Sequence, residues 1–133
     1  MLLPMVKLLV FGVQAEELAK IKRAAGGLKL RVEAVPVFLY RQRIGVLAEK
    51  KTESLAESVQ MGGEEELYQG GPVKESMILI CGLSDGQLDK LLAALKKAAV
   101  QVDFKAVLTA ANANWNVLRL YAELERERRA YQA

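Results

Sequence analysis

Apolar residues fall along this chain in three kinds of run, and each kind predicts an element. Two runs are unbroken: Leu8 to Phe11 inside VKLLVFGV (Val6–Val13), and Met77 to Cys81 (MILIC). Short apolar runs closed by Gly12 and Gly82 predict strands covered on both faces. Elsewhere the apolar residues recur every three or four positions. Leu18, Ile21 and Ala25 mark a helix over Gln14–Ala25, ended by Gly26-Gly27. Leu88, Leu91, Leu92, Leu95 and Ala99 mark another after Cys81. A third pattern alternates. Val102, Phe104, Ala106 and Leu108 interleave with Asp103, Lys105, Val107 and Thr109, which predicts an amphipathic edge strand.

Local signals fill in the rest. Leu30–Val37 reads as a strand whose Pro36 suits an edge or an end. Phe38–Lys50 reads as helical or irregular, with Phe38, Tyr40, Ile44, Val46 and Leu47 as docking groups. Ser84-Asp85-Gly86-Gln87 fits a capping box, with Leu83 and Leu88 at the staple positions. Thr109–Asn114 (TAANAN) is a small polar loop in which Asn112 or Asn114 is positioned to cap the last helix. That helix carries Val117, Leu118, Tyr121 and Leu124 on one face, with Trp115 at its mouth and Glu125 spaced to pair with Arg128 or Arg129. Thr52–Glu75 holds Gly62-Gly63, the acidic run Glu64–Glu66 and Gly70-Gly71-Pro72; it sustains no apolar stripe and is expected to be a mobile loop.

A shift of 70 positions places Leu9 on Leu79, Gly12 on Gly82, Leu18 on Leu88, Lys20 on Lys90, Ala24 on Ala94 and Val32 on Val102 without a gap. Strand falls on strand and helix on helix. The expectation is an α/β fold: a four-stranded, mainly parallel sheet of order 2-1-3-4, built from two βαβ-like halves with helices on both faces. A ferredoxin-like α+β sandwich is the alternative. The 133 residues make one domain, with a first half over 1–51, the loop over 52–75 and the second half with its C-terminal helix over 76–133.

Composition then narrows the chemistry. Net charge is +3, but residues 1–51 carry 10 Lys and Arg against 4 Asp and Glu, so any basic patch belongs to the first half. The chain has no histidine, which removes the commonest general base and the usual zinc ligand. Its one cysteine, Cys81, lies in a buried-looking strand and reads as an inert core thiol. Lys7 interrupts the apolar start and no small-residue cleavage site follows, which argues against a signal peptide or a membrane span and for the cytoplasm. No metal and no cofactor is expected. Gly82–Gly86 lacks the lysine and spacing of a phosphate-binding loop. Tyr40, Arg41 and Arg43 form a small aromatic-basic cluster, but no aromatic stripe continues it toward a nucleic-acid surface.

In an open parallel sheet, ligands bind beyond the carboxyl ends of the strands. Those ends bring Gly12, Gly82, Ser84, Thr109, Asn112, Asn114 and Trp115 forward as candidate ligand-binding residues, with Pro36-Val37 beside them. The leading reading is a non-enzymatic domain that binds a small anion or a protein partner, with a regulatory role. The alternative is an enzyme working at Thr109–Trp115 with Thr109, Asn112 and a carboxylate. A homodimer through a sheet face or the last helix is a third reading.

MILICGLS (Met77–Ser84), the Leu88–Leu95 helix, KAVLT (Lys105–Thr109), Asn112, Trp115 and YAEL (Tyr121–Leu124) together resemble a small bacterial family catalogued as domain of unknown function 3783. Members show a Lys-Ala-Val strand followed by Thr-Pro-Thr-Asn and then Trp. Here Ala110 and Ala111 stand in place of the proline and the second threonine, which makes the loop less rigid and poorer in hydroxyls. LLVFGV and RIGVLA (Arg43–Ala48) are similar to the upstream region of full-length members. The resemblance implies no activity, because the family has none assigned.

Overall fold

The computed structural model describes residues 6–62 and 67–132. In chain order the elements are β1 (Lys7–Phe11), α1 (Ala15–Gly26), β2 (Arg31–Ala34), a 3-10 turn (Val37–Leu39), α2 (Ile44–Glu49), α3 (Thr52–Met61), β3 (Met77–Cys81), α4 (Asp85–Lys97), β4 (Phe104–Val107) and α5 (Val117–Gln132). The strands form one sheet in the order β2-β1-β3-β4. β1·β2 and β3·β4 are parallel, and the central pair β1·β3 is antiparallel. The fold is thus the expected α/β sheet, mainly parallel, with one antiparallel seam where the halves meet.

Alternation along the two central strands explains why both faces are covered. Leu8, Val10, Ile78 and Ile80 point to one side, against Ile21, Ala25, Leu91 and Leu95 of α1 and α4. Leu9, Phe11, Met77, Leu79 and Cys81 point to the other, against Leu39, Ile44, Leu47, Leu55, Val59, Val117 and Leu120. All ten residues of β1 and β3 are buried, Lys7 among them. A ferredoxin-like sandwich would segregate its helices on one face, and this sheet does not.

The halves are related by a pseudo-twofold axis through the seam. Leu9 faces Leu79, the same two residues that a shift of 70 superimposes, and the ladder is symmetric about them: Lys7 faces Cys81 and Phe11 faces Met77. The shift carries over to the left-handed residues, Gly12 onto Gly82 and Lys29 onto Ala99. It also carries over to the helix ends, where Leu30 and Val100 donate back to Ala25 and Leu95. After the helices it grows to 73, because β2 opens with Arg31 opposite Lys7 while β4 opens with Phe104 opposite Met77. Val32 therefore corresponds to Lys105 and not to Val102; three residues have been added ahead of β4. The loops after β2 and β4 then cross one sheet face and meet in an antiparallel bridge, Arg43 to Asn116. Ile44 N–H donates to Trp115 C=O at 2.8 Å and Gly45 N–H to Ala113 C=O at 2.9 Å. A Cβ on Gly45 would lie 2.8 Å from that carbonyl, so this approach requires glycine.

Several local expectations are corrected. Thr52–Met61 is a helix, not loop: Thr52, Leu55 and Val59 recur at helical spacing and are buried, a stripe too short to stand out among its polar neighbours. Leu67, Tyr68 and Val73 also pack on the core, while the mobility expected for Gly63 and Glu64–Glu66 lies outside the described residues. On α4 the inward stripe is Leu88, Leu91 and Leu95, whereas Leu92 is exposed and Ala99 falls beyond the helix end. Asn116, not Asn112 or Asn114, caps α5, its Oδ1 accepting from Arg119 N–H at 2.9 Å. Arg128 pairs across the fold with Glu75 and not with Glu125. No helix among the described residues is long and apolar enough to cross a membrane.

Candidate functional site

The antiparallel seam separates the residues expected to share one cleft. The carboxyl end of β1 lies beside the start of β3, so Gly12 and Gly82 sit at opposite ends of the sheet. Gly12 is closed over by Val73, whose Cγ2 would lie 3.0 Å from a Cβ there. Gly82, Ser84, Thr109 and Asn112 share the other end, because β3 and β4 are parallel and Leu108 N–H donates to Ile80 C=O at 2.9 Å. A crevice at a topological switch point needs parallel neighbours with diverging connections. The seam supplies none.

The polar groups at that end serve the backbone. Ser84 Oγ accepts from Gln87 N–H at 3.2 Å and Gln87 Oε1 accepts from Ser84 N–H at 2.9 Å, the expected capping box. Asn112 Oδ1 accepts from Thr109 N–H at 2.9 Å, its own N–H donates to Thr109 Oγ1 at 3.2 Å, and Nδ2 donates to Val107 C=O at 3.0 Å. Asn112 and Thr109 thereby build the turn that follows β4. Asn114 is exposed, and Trp115 is half-buried on the core with the Arg119 guanidinium 4.6 Å from its ring centroid.

Other reactive groups are similarly engaged. Burial pushes the Cys81 thiol up to about 12, far from a thiolate nucleophile. Tyr40 is fully buried between the Phe11 and Tyr68 rings, which dissolves the cluster it was expected to form with Arg41 and Arg43. The N–H of Gln101 and the Lys20 ammonium hold Glu17 below the usual carboxylate range. Arg128, lying 4.7 Å from the Phe104 centroid, does the same for Glu75. Among the described residues no group of three or more carboxylates or thiols could hold a metal ion.

A different place stands out once the halves are compared. A groove of about 410 Å³ runs along the outer edge of β2, lined by Lys22, Arg31, Val32, Glu33, Ala34, Lys51, Thr52 and Glu53. One lining residue, Glu33, belongs to an ion pair that reaches beneath the groove. Lys7, with no exposed surface, donates from Nζ to Glu33 Oε1 at 2.9 Å and to Lys50 C=O at 2.8 Å. The same carboxylate oxygen accepts from Thr52 N–H at 3.1 Å and Thr52 Oγ1 at 2.6 Å, tying the start of α3 to the sheet. Burial works against ionisation of Glu33, but the Thr52 and Lys7 hydrogen bonds outweigh it and leave the carboxyl below its usual range.

The counterpart positions in the second half are different in kind. Lys7 corresponds to Met77, Lys22 to Leu92, Arg31 to Phe104 and Glu33 to Ala106. There α5 runs on without a break and lays Tyr121 edge-on to Phe104, with centroids 5.7 Å apart. In the first half the helix breaks at extended Lys50 and Lys51, between α2 and α3, and the groove opens at that break. The sequence held two signals for it: a lysine inside an otherwise apolar strand, and the excess of Lys and Arg in residues 1–51. Neither could be placed until the strands were paired.

Residues 76–131 match the model of a family described as Domain of unknown function (DUF3783). The match covers the second half and does not extend to LLVFGV or RIGVLA. No curated protein and no solved structure matches the chain significantly.

Proposed function

We propose that this chain, whose residues 76–131 match the DUF3783 family, is a protein-binding module that takes an extended acidic segment of a partner along the outer edge of β2. One observation carries the reading. Charges that separate the first half from its counterpart gather on a single groove, beside a strand that has no neighbour on its outer side among the described residues. The second half folds with Met77, Leu92, Phe104 and Ala106 at those positions, so the architecture does not require the cations. Lys22, Arg31 and Lys51 face two carboxylates in the groove; one of these, Glu33, is already neutralised by Lys7 and lies 3.8 Å from Arg31 Nε, a looser contact.

An edge strand offers alternate N–H and C=O groups to an incoming strand, and main-chain bonds supply affinity without side-chain identity. Cations along the rim then select the sign of the segment and steer its approach. A short strand carrying Arg31 and Glu33 also suits a guarded edge that resists self-association, since a second copy of this basic edge is repelled. Acidic partners are not.

The test is fluorescence anisotropy with a labelled decapeptide of alternating glutamate and valine. The full chain is expected to bind it, with affinity falling as salt rises. Lys22→Ala, Arg31→Ala and Lys51→Ala together should weaken binding at least tenfold. The same peptide N-methylated at alternate residues should bind as poorly, because it cannot complete the ladder. Equal binding by the triple variant, or competition by inorganic phosphate as effective as by the peptide, would replace the reading with a non-specific or small-anion site.

A further inference from the structure

We propose that residues 7–61 are a second, diverged copy of the unit held in residues 76–131, and that the inner edge of β3 is a self-complementary surface made to take another copy of that unit. The register carries the argument. Substituting each β1 residue by the one 70 positions later turns the observed ladder into β3 against β3, with Met77 facing Cys81, Ile78 facing Ile80 and Leu79 facing itself. Only a ladder centred on equivalent residues closes on itself in this way, and that is the condition for an isologous twofold contact.

Three further features obey the same axis. The left-handed residues occur in matched pairs, α1 and α4 cover the same sheet face, and the two crossing loops meet at Arg43 and Asn116. A single unit offers only two strands, and one of these, Met77–Cys81, is buried throughout. Two strands alone do not make a stable sheet, and an unpaired β3 would leave a five-residue apolar edge in water. The family match spans one unit, so the surface that the first half now covers is the one a lone unit would present.

The test removes β1 from competition within the full chain. Leu8→Asp with Val10→Asp places two carboxylates between the sheet and α1, where β1 can no longer dock. Leu79→Cys in a Cys81→Ala background then reports on the axis. Facing residues of an antiparallel pair have Cα atoms about 4.5–5.5 Å apart, within the range a disulfide spans. The four-fold variant is expected to run at twice the monomer mass on sedimentation and to form a disulfide-linked dimer on mild oxidation. Leu79→Cys with native β1 should not, because Leu9 occupies the facing position. A Leu9→Cys, Leu79→Cys pair in the same background should instead close within one chain, checking the register independently of any dimer. Failure of that intrachain bond, or absence of crosslinked dimer from the charged variant in monomeric or unfolded form alike, would overturn the proposal.

Discussion

The two halves of this molecule share strand, helix, turn and register, yet one is sealed and the other open. In the second half, α5 continues for 16 residues and caps the end of β4 with Tyr121 and Arg128 over Phe104. In the first half, the equivalent helix stops at Glu49 and restarts at Thr52, and a pair of buried Lys7 with half-buried Glu33 stands where Met77 and Ala106 stand in the other. The difference separates what the fold needs from what it carries in addition. Apolar strands, left-handed turns and the crossing loops recur and so belong to the architecture. The Lys7–Glu33 pair and the open groove beside β2 do not recur.

The largest effect should come where the halves are most alike. Leu9 and Leu79 face each other on the pseudo-axis and are both fully buried. Leu9→Ala and Leu79→Ala should each cost about 3–4 kcal/mol in chemical denaturation, the usual range for a large core truncation. The two values should agree within about 0.5 kcal/mol if both sides of the axis pack equally well. A gap much larger than that would show that the axis relates backbones but not packing.

Next comes the place where they differ. Lys7→Met leaves the half-buried Glu33 without its ammonium and should cost about 2–4 kcal/mol, somewhat less than breaking a fully buried pair. Adding Glu33→Ala, so that both positions carry the residues of the second half, should restore more than half of that loss. Replacing a buried pair outright is often neutral, whereas breaking it is not. Because the fold holds Glu33 below its ordinary value of 4.5, its contribution is complete above that pH and is lost as pH falls through the lower folded value. Glu33→Ala should therefore flatten the acid limb of a stability–pH profile. Part of the slope should remain, since Glu17 and Glu75 are depressed in the same direction. If the double variant proved as unstable as Lys7→Met alone, the second half would not be a valid template for the first.

How far the sequence could be read follows the same division. Leu8–Phe11 and Met77–Cys81 announced buried central strands, Ser84 and Gln87 announced a capping box, and the shift of 70 announced the repeat, because each depends on neighbours in the chain. Strand direction across the seam does not. It depends on which end of β1 the start of β3 is brought to, and nothing in Leu9 or Leu79 records it. From that one omission followed the expectation that Gly12 and Gly82 flank a common cleft. The candidate groove was hidden for a related reason: Lys7, Lys22, Lys51 and the strand holding Arg31 and Glu33 come from four separate stretches and meet only in three dimensions. Asn112 was misread in the opposite sense, since a loop amide that builds its own turn has the same sequence signature as one that awaits a ligand.

The smallest expected effect examines the axis at its periphery. Lys29 and Ala99 both sit in the left-handed region, with φ of 58° and 55°, one turn past the ends of α1 and α4, and both are exposed. A side chain there costs about 1–2 kcal/mol, while glycine adds about 0.5–1 kcal/mol of unfolded-state entropy to be overcome. Lys29→Gly and Ala99→Gly should therefore each stabilise the chain, by about 0.5 kcal/mol. The sign is the informative quantity. The neighbours differ, lysine in one half and alanine in the other, so equal gains would have to come from the backbone the halves share. Opposite signs would mean that the turns reach similar angles for unrelated reasons, and the correspondence would then stop at the sheet.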